Sequence, residues 1–164
     1  NNFGSYQFPE KLIPLMVIKC LKKESLPVYG NGENIRDWIY VDDHCDALYM
    51  LSKNGKSGET YNIGGDNELS NIFLVKKICE IMDRNSPRKN NQRYSDLISF
   101  VDDRPGHDLR YSINFNKIEN DIGWEPSNNF EENLEQTVLW YLNNTDWWKN
   151  IISKEYDLKR LGVK

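Results

Sequence analysis

Apolar residues recur three and four positions apart in several segments of the chain, and this spacing predicts amphipathic helices. The clearest example runs from Leu12 to Leu21, with Pro9 in its first turn, where a missing N–H group does no harm. Side chains that accept a hydrogen bond from a backbone N–H group mark the starts of other helices. The remaining predicted helices follow Asp42 or Asp43, follow Ser70, run from Asn116 to Gly123, and span residues 130–143 with Phe130, Leu134, Val138 and Leu142 on one face.

Short apolar runs bounded by Gly, Asn and Asp predict β-strands between these helices. Residues 26–29 and 35–41 flank a Gly-Asn-Gly turn, so we expect them to pair as a β-hairpin. Further strands are predicted over "ETYNIGG", "LISFV" and "LRYSIN", and residues 84–96 are predicted to form a polar loop. The mixed order of helices and strands predicts an α/β fold that lacks a complete set of βαβ units.

Composition excludes several classes of function. The chain has 164 residues, enough for one domain with its own core, and its net charge of −4 gives no general attraction to nucleic acid or to an anionic membrane. No apolar run reaches the roughly 18 residues that span a bilayer, and we identify no signal peptide. We interpret Cys20, Cys45 and Cys79 as buried, reduced thiols of a cytoplasmic protein. No CxxC or HxxxH spacing predicts a metal site.

We identify no group of residues that would make or break bonds. The chain has no GxGxxG turn, no P-loop and no Ser-His-Asp signature, and we assign no proton-transfer pair. It also begins with "NNFGSYQFPEKL", inside a polar loop and without Met. We therefore expect a fragment that binds a ligand and lacks its catalytic half.

The loop "DDRPGHDLRY" is the strongest candidate for a binding site. Arg104 and Arg110 carry planar guanidinium groups suited to paired contacts with a phosphate, and His107 can donate from its ring. The turn at Pro105 and Gly106 would bring Arg104 and His107 to one rim, while the neighbouring aspartates hold the arginines in place. The alternative is a surface loop whose charges pair with one another.

Other residues have both a functional and a structural interpretation. Arg36 lies in an apolar strand, where it would reach a diphosphate or form an ion pair with Asp37 or another acidic residue. Asn71 begins a predicted helix, whose free N–H groups suit an anion, although ordinary capping explains it as well. We interpret His44 as structural. Pro27, Val28 and Tyr29 would form either an apolar wall for a base or part of the core, and Trp124 and Trp140 belong to the core or to an interface.

The strings "FPEKLIP", "IRDWIYVDDH" and "DRPGHDLRY" together resemble the C-terminal half of the dTDP-glucose 4,6-dehydratases, a family of extended short-chain dehydrogenases/reductases. The resemblance implies a Rossmann domain that binds NAD, interleaved with a smaller domain that binds dTDP-glucose. It implies oxidation of the sugar at carbon 4, loss of water across carbons 5 and 6, and return of the hydride to carbon 6. The family's NAD loop and its acid and base residues would precede residue 1.

The resemblance also implies roles for individual residues. Asn1 would contact the substrate, and Asn2 the nicotinamide end of the cofactor. Phe3 and Ser5 depart from the family's usual Asn-Asn-Tyr-Gly-Pro loop, at positions that carry no chemistry in the family. Four residues are implied to contact the diphosphate or lie near it: Lys11, Leu12, Arg36 and Arg104. Pro27, Val28 and Tyr29 would surround thymine, and Tyr156 would lie near the sugar or the diphosphate. The nucleotide site would be completed by Asn71, Asp103, Pro105, Gly106 and His107.

We therefore expect residues 1–164 to be the C-terminal, nucleotide-sugar-binding part of a dehydratase whose NAD-binding half is absent from this chain. The isolated chain is expected to be inactive. The full-length protein is expected to be a cytoplasmic homodimer in deoxysugar synthesis, such as that of rhamnose. Two alternatives stay open: part of another nucleotide-sugar epimerase, dehydratase or decarboxylase, and a non-catalytic module that binds nucleotide sugars.

Overall fold

A computed structural model describes residues 1–154 of the chain. Its helices and strands alternate irregularly, as the sequence predicts for an α/β protein. The helices are α1 (Leu12–Lys22), α2 (Val41–Asn54), α3 (Asn71–Asn85), α4 (Asn116–Ile122), α5 (Phe130–Asn143) and α6 (Thr145–Lys154), with short 3₁₀ helices at Lys89–Asn91 and Tyr94–Leu97. The strands are β1 (Asn2–Phe3), β2 (Leu26–Tyr29), β3 (Ile35–Asp37), β4 (Ile39–Tyr40), β5 (Glu68–Ser70) and β6 (Ile98–Val101).

The strands of the described region form three two-stranded sheets. β1 pairs with β4 and β2 with β6, both in parallel, whereas β3 and β5 are antiparallel. In the β2–β6 sheet, Leu26 lies opposite Ile98 and Tyr29 opposite Val101. The pairing of β2 with β6 places the loop after β6 beside the end of β2, where the Gly30 N–H group donates to the Val101 carbonyl at 2.9 Å.

The main core lies between α1, α3 and α5. Each of these helices buries one apolar stripe, as the spacing of its apolar residues predicts, and the predicted face of α5 is confirmed. A smaller cluster joins α2 to α4 through Ala47, Ile118 and Trp124. Burial of this apolar surface is the main source of stability for the described region.

The predicted hairpin between residues 26–29 and 35–41 is wrong. The turn between these segments packs against the start of α3, because the N–H group of Ile72 donates to the Gly32 carbonyl at 2.9 Å. Gly32 has φ +77, and a Cβ atom there would lie 2.7 Å from side-chain atoms of both Val28 and Ile72. The turn therefore directs β3 away from β2, and the apolar run of β6 takes the place beside β2.

Three predicted helix starts are wrong by one to three residues. α1 begins at Leu12, so Pro9 lies before it and Pro14 occupies the first turn, where its missing N–H group is equally harmless. Tyr40, not Asp42 or Asp43, caps α2, while Asp43 accepts from Ser127. The cap of α4 is Phe115, although Gly123 ends this helix in the left-handed conformation as predicted. Ser70 caps α3 by accepting from the Phe73 N–H group.

Two predicted strands do not form. The "ETYNIGG" segment has no strand partner among the described residues, and side-chain contacts hold it instead: the Tyr61 hydroxyl donates to Asp121 at 3.0 Å. The "LRYSIN" segment makes a single bridge, between Arg110 and Ile35. A strand needs a paired neighbour to satisfy its backbone groups, and an apolar alternation does not supply one. "LISFV" is confirmed as β6.

The cysteines are all free, but only Cys20 and Cys79 are buried as predicted. Cys45 is exposed on α2, so its predicted burial is wrong. The reason is that α2 packs only a narrow stripe, centred on Ala47, against the rest of the chain. No helix within residues 1–154 is long and apolar enough to cross a membrane.

Candidate functional site

A cleft of about 400 Å³ lies where the loop after β6 meets the ends of β1 and β3. Two other clefts, of about 440 and 490 Å³, are slightly larger, but neither is lined by a guanidinium group. The two guanidinium groups therefore single out the 400 Å³ cleft as the candidate anion site. Its lining residues are Asn1, Arg36, Arg104, Pro105, Gly106, His107, Asp108 and Tyr111.

Arg36 is held on the floor of the cleft by backbone carbonyl groups. The residue is 7% exposed, and its guanidinium donates to the Ile35 carbonyl at 2.6 Å and to the Asp108 carbonyl at 2.9 Å. The predicted alternative, an ion pair with Asp37, does not form, because the Asp37 carboxylate accepts from backbone N–H groups. No carboxylate pairs with Arg36 in the described part of the chain, so its charge remains available to an anion.

Arg104 faces the same cleft from the opposite loop. Its guanidinium carbon lies 5.5 Å from the centroid of the Tyr29 ring, and its Nε atom is buried without a hydrogen-bond partner in the structure. Burial lowers the pKa of Arg36, and the positive charge of Arg104 acts in the same direction. Two guanidinium groups that repel each other across a cleft are stabilised when an anion lies between them.

Asp103 and His107 shape the loop that carries Arg104. The Asp103 carboxylate accepts from the Arg104 N–H group at 2.7 Å, and its Oδ1 atom lies 2.6 Å from His107 Nδ1. The hydrogen bond to His107, followed by that from the Arg104 N–H group, lowers the pKa of Asp103. Gly30 permits the close approach of this loop to β2, because a Cβ atom at Gly30 would lie 3.2 Å from the Asp103 carboxylate. The aspartate thus pairs with the histidine and leaves the arginine free.

Strand β2, whose side chains were predicted to contact the nucleotide base, is partly buried in the core. Side chains alternate along β2, so Pro27 and Tyr29 lie on the accessible face while Val28 is 2% exposed. Tyr29 stands edge-on to His107, with their ring centroids 6.4 Å apart. Two of the three predicted side chains are therefore partly accessible, and Val28 could contribute only its backbone.

The structure separates the two N-terminal asparagines. Asn1 lines the cleft and donates from its side chain to the Asp37 carbonyl at 3.2 Å. The Asn2 side chain lies 2.8 Å from His44 Nδ1 instead, which gives His44 the structural contact predicted for it. One asparagine thus faces the cleft and the other contacts a side chain of α2.

Several predicted residues lie outside the cleft. Lys11 is exposed and pairs with Glu10 at 3.2 Å, and Leu12 packs on the core. The N–H groups of Asn71, Ile72 and Phe73 all have protein acceptors, so no free N–H cluster offers an anion site at this helix start. Ordinary capping therefore accounts for the start of α3, and Asn71 could reach a ligand only through its side chain. Arg110 pairs twice with Glu68, and Tyr156 lies beyond the described residues.

Sequence reasoning overlooked two features. Tyr111 lines the cleft beneath Arg36, although its place in an apparent strand gave no signal for this role. A Tyr-x-x-x-Lys spacing also exists, at Tyr49 and Lys53. Both residues lie on α2, where the ammonium group is 5.6 Å from the ring centroid, and neither lines the cleft. No group of three or more His, Cys, Asp or Glu side chains within residues 1–154 is placed to bind a metal ion.

The fold matches solved structures of extended short-chain dehydrogenases/reductases. A dTDP-glucose 4,6-dehydratase of Bacillus anthracis, in complex with NAD, is 45% identical, with a TM-score of 0.81 over 92% of this chain and 45% of that chain. A Streptomyces venezuelae dTDP-glucose 4,6-dehydratase with NAD and TYD bound is 40% identical, with a TM-score of 0.83 over 92% of this chain and 44% of that chain. The chain thus has part of the extended short-chain dehydrogenase/reductase fold.

Sequence comparison narrows this class to a family. The profile for GDP-mannose 4,6 dehydratase matches residues 1–137, and the chain belongs to this family. A dTDP-glucose 4,6-dehydratase of Neisseria meningitidis serogroup B is 53% identical over 165 residues, which cover 99% of this chain and 46% of the relative. The chain therefore spans about half the length of the curated relatives it matches.

Proposed function

We propose that this chain is the substrate-binding part of an NAD-dependent dTDP-glucose 4,6-dehydratase. One observation carries the proposal: Arg36 and Arg104 face a single cleft and pair with no carboxylate among the described residues. Similarity to dTDP-glucose 4,6-dehydratases supports the particular substrate. The cleft is thus proposed to hold the diphosphate of a nucleotide sugar.

The donors in the cleft suit a diphosphate better than a single carboxylate. Two N–H groups of Arg36 are used by backbone carbonyls, and the others remain for a ligand. Arg104 adds a second planar fork, whose Nε atom has no partner in the structure. A diphosphate offers oxygens to both guanidinium groups, and arginine is suited to such paired contacts. Tyr29, beside Arg104, would then lie near the base.

The proposed reaction begins with oxidation of the sugar at carbon 4, continues with loss of water across carbons 5 and 6, and ends with reduction at carbon 6. NAD, when bound, would accept the hydride and return it. Asn2 fits a contact with this cofactor, because its amide nitrogen faces His44 and its oxygen is left to accept from an amide group. We propose that the remaining cofactor and proton-transfer groups lie in the part of the parent protein that this chain does not cover, so the isolated chain is inactive.

A related nucleotide-sugar epimerase, dehydratase or decarboxylase is the second candidate. It is favoured by the same observation, since two guanidinium groups recognise a diphosphate without reading the base or the sugar. A cytoplasmic, homodimeric parent protein in deoxysugar synthesis, such as that of rhamnose, completes the proposal. Turnover with competing nucleotide sugars separates the two candidates.

A chimeric enzyme tests the proposal. The N-terminal part of the Neisseria meningitidis relative would be joined to this chain, and formation of the 4-keto-6-deoxy sugar from dTDP-glucose would be followed by mass spectrometry. We expect turnover with dTDP-glucose, much less with UDP-glucose, and none with either part alone. Arg104→Gln should raise KM about ten- to a hundredfold, because charged hydrogen bonds are lost.

The matched control is Arg84→Gln, which removes an equal charge from an exposed arginine that pairs with Glu135 at 3.1 Å. This variant should keep the parent KM. A folded, NAD-binding chimera that fails to convert dTDP-glucose would contradict the proposed activity. Equal turnover of UDP-glucose would favour the second candidate.

A further inference from the structure

Tyr111 lies directly beneath the guanidinium of Arg36. The guanidinium carbon is 4.7 Å from the centroid of the ring, within the range of a favourable cation–π contact. The ring is 51% exposed and lines the cleft together with Arg36, so an aromatic surface packs against the guanidinium within the site. The tyrosine hydroxyl donates to the Asp108 carboxylate, while the Asp108 carbonyl accepts from Arg36.

The backbone around Tyr111 fixes the direction of its side chain. The neighbours Arg110 and Ser112 both bind Glu68, with the arginine donating twice at 2.6 and 2.7 Å and the serine at 2.6 Å. Side chains alternate in an extended segment, so Tyr111 points away from Glu68 and toward Arg36. The Tyr111 N–H group also donates to the Ile35 carbonyl at 3.0 Å, which joins it to the strand that carries Arg36.

We propose that Tyr111 is a positioning residue for Arg36 in the anion site. Its ring holds the guanidinium plane while the Ile35 and Asp108 carbonyls take two of the N–H groups, so the remaining N–H groups are directed toward a diphosphate. This inference rests on the proposed function, because it assigns Tyr111 to the same anion site. A long side chain held in advance loses less conformational entropy when the ligand binds.

A double-mutant cycle tests the inference in the 164-residue chain, with dTDP affinity measured by calorimetry. Tyr111→Leu should weaken binding about fivefold, from loss of an exposed cation–π contact. Tyr111→Phe keeps the ring and should bind within about twofold of the parent chain. In an Arg36→Gln background, Tyr111→Leu should have no further effect, because the tyrosine acts through the arginine.

Tyr49→Leu is the control, since Tyr49 is 65% exposed and also lies near a cation, Lys53, but outside the cleft. It should leave dTDP affinity unchanged. A second measurement needs no ligand: the ring current of Tyr111 should shift the Arg36 δ-proton resonances, and Tyr111→Leu should abolish this shift while Tyr111→Phe retains it.

The inference is overturned if Tyr111→Leu binds dTDP as tightly as the parent chain, or if Tyr111→Phe loses as much dTDP affinity as Tyr111→Leu. It is also overturned if the losses of affinity from Tyr111→Leu and Arg36→Gln are additive in the double variant. These results differ from failure of the proposed function, in which the parent chain binds no dTDP. In that case the ring-current shift still decides whether Tyr111 holds the guanidinium: its absence from the parent spectrum overturns the inference, and its presence supports the positioning role.

Discussion

Replacing Asp37 with alanine should strongly destabilise the chain. Asp37 is 3% exposed, and its two carboxylate oxygens accept from the Gly65 N–H group at 3.1 Å and the Asn67 N–H group at 3.0 Å. These bonds hold residues 65–67 against β3, where a Cβ atom at Gly65 would lie 2.0 Å from the Trp38 carbonyl oxygen. The segment has no room to move inward and find other acceptors.

Asp37→Ala leaves the Gly65 and Asn67 N–H groups without an acceptor, and this sets the expected loss of stability. A buried N–H group without a partner costs about 1–3 kcal/mol, so the loss of both acceptors in Asp37→Ala should lower the free energy of unfolding by roughly 2–6 kcal/mol. This loss is a large share of the free energy of unfolding of a typical domain, which is about 5–15 kcal/mol. Asp37→Asn keeps one acceptor oxygen and should lose about half as much.

Urea unfolding followed by tryptophan fluorescence measures this loss, since Trp38 lies next to the substituted residue. The control is Asp102→Ala, at an exposed aspartate, which should change stability by less than about 0.5 kcal/mol. A loss below about 1 kcal/mol for Asp37→Ala, with an unchanged denaturant slope, would refute the assignment of both hydrogen bonds to the Asp37 carboxylate.

Two further predictions concern titration and thiol exposure. The carboxyl pKa of Asp103 is lowered by its hydrogen bond to His107, so its contribution to stability should be present above the unfolded-state pKa and lost as pH falls through the lower, folded-state pKa. Carbon NMR should find the midpoint of Asp103 in the folded chain below its midpoint in the urea-unfolded chain, and equal midpoints would contradict the contact. A thiol reagent should label Cys45 rapidly in the native chain and label Cys20 and Cys79 only after unfolding; fast native labelling of all three would contradict the packing of α1 on α3.

Five of the six described α-helices, all except α6, could be predicted, although not their exact starts, because their signal is local. Apolar spacing of three and four residues predicted the buried faces of α1 and α5, and Ser70 marked the start of α3 correctly. Strand pairing could not be predicted, since it depends on which distant segment is available. A Gly-Asn-Gly turn favours a hairpin on its own, but contact of Gly32 with Ile72 outweighs that preference.

The sequence predicted the charged loop of the candidate site, but not which of its charged side chains pair with one another. Arg104 and His107 do share one rim, as the Pro-Gly turn predicts. Which charges stay free depends on three-dimensional contacts: Arg110 is taken by Glu68, while Arg36 is held by carbonyls. Tyr111 was missed because alternation along its segment becomes informative only once Glu68 is known to lie on the other side.

The most direct test of the central claim is an amide NMR titration of the labelled chain with dTDP and, separately, with UDP. The two-arginine cleft predicts a dispersed spectrum in which resonances of residues 29–36 and 103–111 shift with both nucleotides. The proposed dTDP-glucose substrate predicts in addition that the shifts occur at lower concentration with dTDP than with UDP. A dispersed spectrum in which neither nucleotide shifts these resonances at millimolar concentration would contradict the assignment of Arg36 and Arg104 to a nucleotide diphosphate.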